Sequence, residues 1–189
     1  HVELFEANFE NRPESQKNEK DNPLVAVATI LTMVQKKQEI LVEMTDSKID
    51  ECLSNLSENM KPKWGIMTPQ HMIEHLVGAW RISNGNARVK LSVKPNDVPK
   101  RKAFLMSDML FPKGVQKPVT KGGLGKLRKA NLTEAKNQLF LEVDAFFIYH
   151  EANADALEIH PAFGPLTKDE WIRFQSKHMY HHLSQFGLM

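Results

Sequence analysis

The chain has 189 residues, of which 41% are hydrophobic and 25% charged, with a net charge of +2, the profile of a globular domain of ordinary size with an appendage. Cys52 is the sole cysteine, which excludes an internal disulfide framework and makes a reducing, cytoplasmic setting the expectation. The longest apolar run, Leu24 to Val34, is broken by Thr29 and Thr32; it falls short of the ~20 residues of a membrane helix and follows no signal-peptide pattern, so no membrane partner is expected.

Residues 1–39 read differently from the rest. "HVELFEANFE" and "PLVAVATILTMV" have strand-like composition and flank a polar connector containing Pro13, so a β-hairpin-like extension is predicted. A lone hairpin is marginal in water and must pair with something. Opening on His1 rather than methionine fits a piece cut from a longer protein.

From residue 40 onward the pattern turns helical, and a second domain over 40–189 is expected. Thr45, Asp46 and Ser47 cap a first helix carrying Ile49, Cys52, Leu53, Leu56 and Met60, which "KPKWG" ends. Cys52 on that stripe reads as core packing. Thr68 caps a second helix, with Pro69 at its first position and Gly85 at its end. Residues 85–131 form a long connection punctuated by proline and glycine, with a short helix around 102–110. Thr133 and Glu134 open a third helix with the stripe Ala135, Leu139, Val143, Phe146 and His150. "HPAFGP" turns the chain, and Thr167 caps a fourth helix with Trp171, Phe174, His178, His182 and Phe186 on one side. The fold class is therefore all-α, a four-helix bundle with a long crossover connection.

The net charge conceals an asymmetry. Between Arg88 and Lys129, twelve Lys and Arg stand against Asp97 and Asp108, leaving the rest of the chain at −8. A basic segment can attract anions, but Phe104 and Phe111 are its only aromatic residues, too few for a run of base stacking, so nucleic acid is not the expected partner.

Two His-x-x-x-His pairs carry the functional signal: His71/His75 and His178/His182. Four residues apart on a helix means one face, one turn up, and packed helices can hold a metal ion with neutral imidazoles. On the last helix both histidines continue the buried stripe of Trp171 and Phe174, where a polar group must be satisfied. His181 turns aside toward the rim. On the second helix, His75 lies beside the apolar face of Met72, Leu76 and Trp80. One ligand from this pair suffices for a three-imidazole site, which leaves a coordination position open for chemistry. Met72 and Met179 follow the first histidine of each pair, so neither is the HExxH of zinc proteases. "GGLGK" at Gly122 to Lys126 is not a phosphate-binding P-loop, and no Ser-His-Asp elbow is visible.

"WGIMTPQHMIEHLVGAW" and "FGPLTKDEWIRFQSKHMYHHLSQFG" resemble the DinB-like superfamily of metal-binding four-helix bundles, in its largely uncharacterised branch. The resemblance covers about residues 40–189. It implies one ligand on the second helix and two on the last, which by position are His75, His178 and His182, and it leaves His71 out. Some members are thiol-dependent transferases or isomerases in which the metal activates a small thiol. "NPLVAVATILTMVQKK" and "VELFEANFE" resemble the end of a MaoC-like hotdog hydratase from bifunctional phenylacetate-degradation proteins. The motif for that hydratase's catalytic Asp and His is not in this chain.

The functional expectation is a metal-dependent enzyme, a thiol transferase or hydrolase, that activates water or a thiol at this three-histidine site. Its substrate would be a small molecule such as a thiol or CoA thioester, with a tie to phenylacetate or aryl-CoA catabolism. Zinc, nickel, iron and manganese are the metals in view. His150, Tyr180 and Gln185 are candidates to line the substrate side. Bundles of this kind often pair, so a homodimer is compatible with this reading. The competing reading is a non-enzymatic metal-binding accessory bundle.

Overall fold

The chain divides into two units, residues 1–39 and 40–189. The computed structural model describes residues 46–114 and 124–189, all within the second unit. The expected hairpin over 1–39, and with it the hotdog likeness, lies outside the described residues. Five α-helices are present among the described residues: α1 (Asp46–Ser54), α2 (Pro69–Ser83), α3 (Val98–Met106), α4 (Leu132–Ala152) and α5 (Lys168–Gln185). A two-stranded antiparallel hairpin, β1 (Glu158–His160) and β2 (Gly164–Leu166), joins α4 to α5. Among these residues no helix is long and apolar enough to cross a membrane.

The sequence signals at α2 and α5 act as expected. Thr68 accepts the His71 N–H, and Pro69 opens α2 where its missing N–H costs nothing. Thr167 and Glu170 form a reciprocal capping box at the start of α5. α2 lies along α4 and also packs against α5 and β1, while α1 packs on α4 and α3 on α5. The shared core includes Leu76, Trp80, Leu139, Phe146, Trp171 and Leu183, all buried.

Four elements depart from the sequence reading. α1 stops at Ser54, short of the predicted end near Met60, because Lys136 on α4 donates its ammonium to the Leu53 and Leu56 carbonyls (2.8 and 2.9 Å) and so caps the helix from a distance. Leu56 and Met60 still join the core from the turn that follows, and Cys52 packs against it half-buried. α3 starts at Val98 behind a 3-10 turn over Pro95–Asp97, four residues before its predicted start. Its last carbonyls are held by Lys177 of α5, whose buried ammonium reaches Phe104 O, Leu105 O and Ser107 O at 3.2, 2.7 and 2.6 Å. Burial, with the nearby Arg173 charge, lowers the Lys177 pKa to about 8, against a smaller opposing effect of Asp108.

α4 begins at Leu132, one residue before Thr133, with Asn131 accepting the Glu134 N–H at 2.9 Å. The β hairpin was not expected at all: the turn around Pro161 was, but not the strands beside it. Gly164 sits at φ +75°, and a Cβ there would come within 2.9 Å of a Val98 methyl, so the hairpin approaches α3 only because the residue is glycine.

A bidentate pair, Lys102 to Glu170 at 3.0 and 2.9 Å, ties α3 to the first turn of α5. Burial raises the Glu170 pKa, but the Lys102 ammonium and the Thr167 N–H outweigh it and hold the carboxyl below its ordinary value of 4.5. A carboxyl depressed in the folded state stabilises the fold above the unfolded pKa and loses that contribution as pH falls through the folded value. Glu170→Gln keeps the cap acceptor and loses the ion pair. It should therefore cost roughly 1 kcal/mol at neutral pH, and the difference from the parent should shrink below about pH 4.5. Urea melts at pH 7 and at acid pH check this; an equal deficit at both would refute it.

Candidate metal centre

α2 and α5 pack against each other, and each turns histidines toward the seam. His75 comes from the middle of α2. His178 and His182 come from successive turns of α5, both nine-tenths buried at 8% and 7% exposure, while His75 is half-buried. The His178 Nε2 lies 2.9 Å from His75 Nε2 and 3.1 Å from His182 Nε2. The three rings stand edge to edge around a near-threefold arrangement, with centroids 4.8, 4.8 and 4.7 Å apart and planes inclined by 78°, 74° and 74°. Among the described residues this is the cluster of three donor groups able to hold a metal ion.

The donor set fits a transition ion. Three ring nitrogens of one type point at one small volume, and the Nε2 of His178 meets two others at once. A neutral imidazole nitrogen either donates one hydrogen or offers one lone pair, so it cannot donate to one neighbour while accepting from the other. A cation on the common side meets all three lone pairs together. Tetrahedral zinc with Zn–N bonds near 2.0–2.1 Å needs ligand nitrogens roughly 3.4 Å apart. The two His178 contacts, at 2.9 and 3.1 Å, need outward movements of only a few tenths of an ångström, and all three donor atoms lie within 4.8 Å of one another. Three imidazoles leave a fourth position open, the pattern of catalytic rather than closed structural sites.

The surroundings hold the rings. Phe174 lies against the His178 ring at 4.9 Å, one turn toward the helix start. The Nδ1 of His182 meets Gln185 Oε1 at 3.1 Å, and Gln185 Nε2 donates to the Trp64 carbonyl at 2.6 Å. His181 takes the rim position expected of it, edge-on to Trp64 at 6.0 Å and to Phe111 at 6.5 Å. Burial lowers its pKa and the Lys113 charge adds to this, against the opposing hydrogen bond to Phe111. Lys113 stands over the Trp64 ring at 4.4 Å, a cation on an aromatic face beside this rim.

His71 is held elsewhere, between Thr68 Oγ1 at 2.6 Å and the Gly125 carbonyl at 3.0 Å, where it pins the end of the long connection to α2. His150 shares the α4 stripe but meets the far end of α2: its Nε2 lies 3.0 Å from the Ser83 carbonyl, and its ring packs on Phe146 and Tyr149. Burial lowers its pKa. Tyr180 follows His178 by two residues on α5, which turns it roughly 200° from that ligand direction. Of the three residues expected toward the substrate, Gln185 alone meets the histidine cluster, and it does so through His182. Trp64 enters the sequence reading as the end of the first helix and in the "WGIM" segment of the resemblance, but not as a residue of the site; Gly65 is the signal for its close approach to Gln185.

Residues 129–189 match the model of a family described as a protein of unknown function (DUF1569). The matched part holds α4, the hairpin and α5, and so includes His178, His182 and Gln185, while His75 precedes it. No curated protein and no solved structure matches the chain.

Proposed function

We propose that this chain is a metal-dependent enzyme built on a DinB-like four-helix bundle of α1, α2, α4 and α5. His75, His178 and His182 hold a divalent transition ion through Nε2, and the site activates water or a thiol toward a small-molecule substrate. The observation that carries the reading is the convergence of three buried or half-buried Nε2 atoms from two helices on one volume. Such an ion supplies Lewis-acid activation, lowering the pKa of a bound water or thiol toward neutrality. The protein's own part is positional. Packing of Phe174 orients His178, and Gln185 orients His182. Lys113 and the other cations of the basic segment favour a substrate with an anionic group, as a carboxylate thiol or a CoA thioester has.

The test is metal content of protein purified without a nickel column, before and after reconstitution with zinc, nickel, iron or manganese. About one ion per chain is expected; none with any of the four would overturn the reading. Saturation at about a hundredfold above Kd should stabilise the fold by about 2.7 kcal/mol, raising the melting midpoint by roughly 5–11 °C. A chelator should reverse the shift. Turnover of a panel of thiols and CoA thioesters that disappears with the ligands supports the enzyme. A metal-loaded protein silent on the whole panel favours an accessory metal-binding bundle.

A further inference from the structure

Gln185 has an amide whose two ends can be told apart from their partners. Its nitrogen end faces the Trp64 carbonyl at 2.6 Å. A carbonyl oxygen only accepts, so the group facing it must be the NH2. The other end is then the amide oxygen, 3.1 Å from His182 Nδ1. An amide oxygen also only accepts, so Nδ1 of His182 must carry the hydrogen. In neutral imidazole that leaves Nε2 with a bare lone pair, and Nε2 is the atom turned toward His178 and His75.

We infer that Gln185 is a positioning residue that presets the tautomer and angle of His182, so that its Nε2 lone pair faces the cluster before any ion arrives. The inference deepens the metal-site reading and rests on it for its affinity arm alone. The device is anchored outside α5: Trp64 lies 121 residues earlier in the chain and holds the amide through its backbone. The backbone N–H of Lys63 also donates to the backbone carbonyl of Gln185 at 2.7 Å, which fixes the residue's main chain beside Trp64. Gly65, at φ +80°, makes the approach achievable, because a Cβ there would lie 2.6 Å from Gln185 Nε2. The side-chain amide is therefore anchored at its nitrogen end and presents its oxygen to the ring it serves. Ligating histidines are commonly held through their second nitrogen, and loss of such a partner weakens metal binding by about 10–100-fold.

The experiment compares the parent with Gln185→Leu, Gln185→Glu and Gly65→Ala. The first readout is the 15N chemical shifts of the His182 ring in metal-free protein, well above the ordinary imidazole pKa of about 6.5. The second is zinc affinity by competition with a chromophoric chelator. The parent should show hydrogen at Nδ1 and a bare Nε2. Gln185→Leu should lose that preference and bind zinc about 10–100-fold more weakly. Gln185→Glu still accepts from Nδ1 and should retain the tautomer, even though it no longer donates to Trp64. Gly65→Ala should act like a partial Gln185→Leu by displacing the amide. A parent with hydrogen at Nε2, or a folded Gln185→Leu with parental tautomer and affinity, would overturn the inference. If Gln185→Leu does not fold, loss of the Nδ1 hydrogen in Gln185→Glu overturns it and retention supports it. Failure of the metal reading shows separately, as a parent that binds no zinc while the tautomer arm still reports on Gln185.

Discussion

His178→Ala is expected to abolish stoichiometric metal binding while leaving the helices folded. His178 is the hub of the cluster: its Nε2 is 2.9 Å from one partner and 3.1 Å from the other. Without it, the site has two imidazoles from different helices and no third donor to close the angle. Affinity should fall on the order of a thousandfold or more, beyond the 10–100-fold typical of losing an orienting group behind a ligand. The metal-free variant should still fold, because His178 meets its two histidine neighbours at the seam rather than anchoring the shared apolar core. His182→Ala should behave alike. His71→Ala is the control, since the His71 ring is spent on Thr68 and Gly125, and its metal content should match the parent. Metal per chain and chelator competition read both. Parental metal content in His178→Ala, or its loss in His71→Ala, would sink the three-ligand assignment.

The largest loss of stability is expected from Trp171→Ala. Trp171 is 0% exposed, lies edge-on to Phe174 at 5.5 Å and near His160 at 5.4 Å, and donates its indole N–H to the Glu158 carbonyl at 3.2 Å. Truncating a buried aromatic of this size costs about 3–5 kcal/mol through lost burial and the cavity left behind. A total stability of about 5–15 kcal/mol makes that a large fraction. The melting midpoint should fall by roughly 6–20 °C. Trp171→Phe refills most of the volume and loses the indole hydrogen bond, so about half the cost or less is expected. The damage should reach the site as well, because Phe174, which loses its neighbour, is the ring against His178. A deficit under about 1 kcal/mol in denaturant melts would show that the space closes around the missing indole.

Local signals and distant ones fared differently as guides to this structure. Thr68 with Pro69, and Thr167 with Glu170, write their helix starts within four residues, and those starts are where the residues place them. The His178/His182 spacing likewise puts two rings on one face without reference to the rest of the chain. What escaped the sequence depends on partners far along it. α1 ends where Lys136 reaches it, and α3 is capped by Lys177. The strands β1 and β2 have three residues each, too few for a periodic pattern, and they persist by packing on α2 and α5. His150 sits on the same α4 stripe as core residues, yet a stripe 21 residues long spans more than one neighbourhood, and periodicity does not say which end meets the site. Gln185 was marked as a residue of the site, but its task depends on a carbonyl 121 residues away.

Lys177 and His178 are consecutive on α5. One buries its ammonium in the end of α3, and the other points its ring at the histidine cluster. Adjacent helical residues project about 100° apart, so rotating α5 to improve either contact spoils the other. The helix thus works as a shaft keyed on two sides. Through α3, the basic connection is thereby tied to the same helix that sets the angle of the His178 ring.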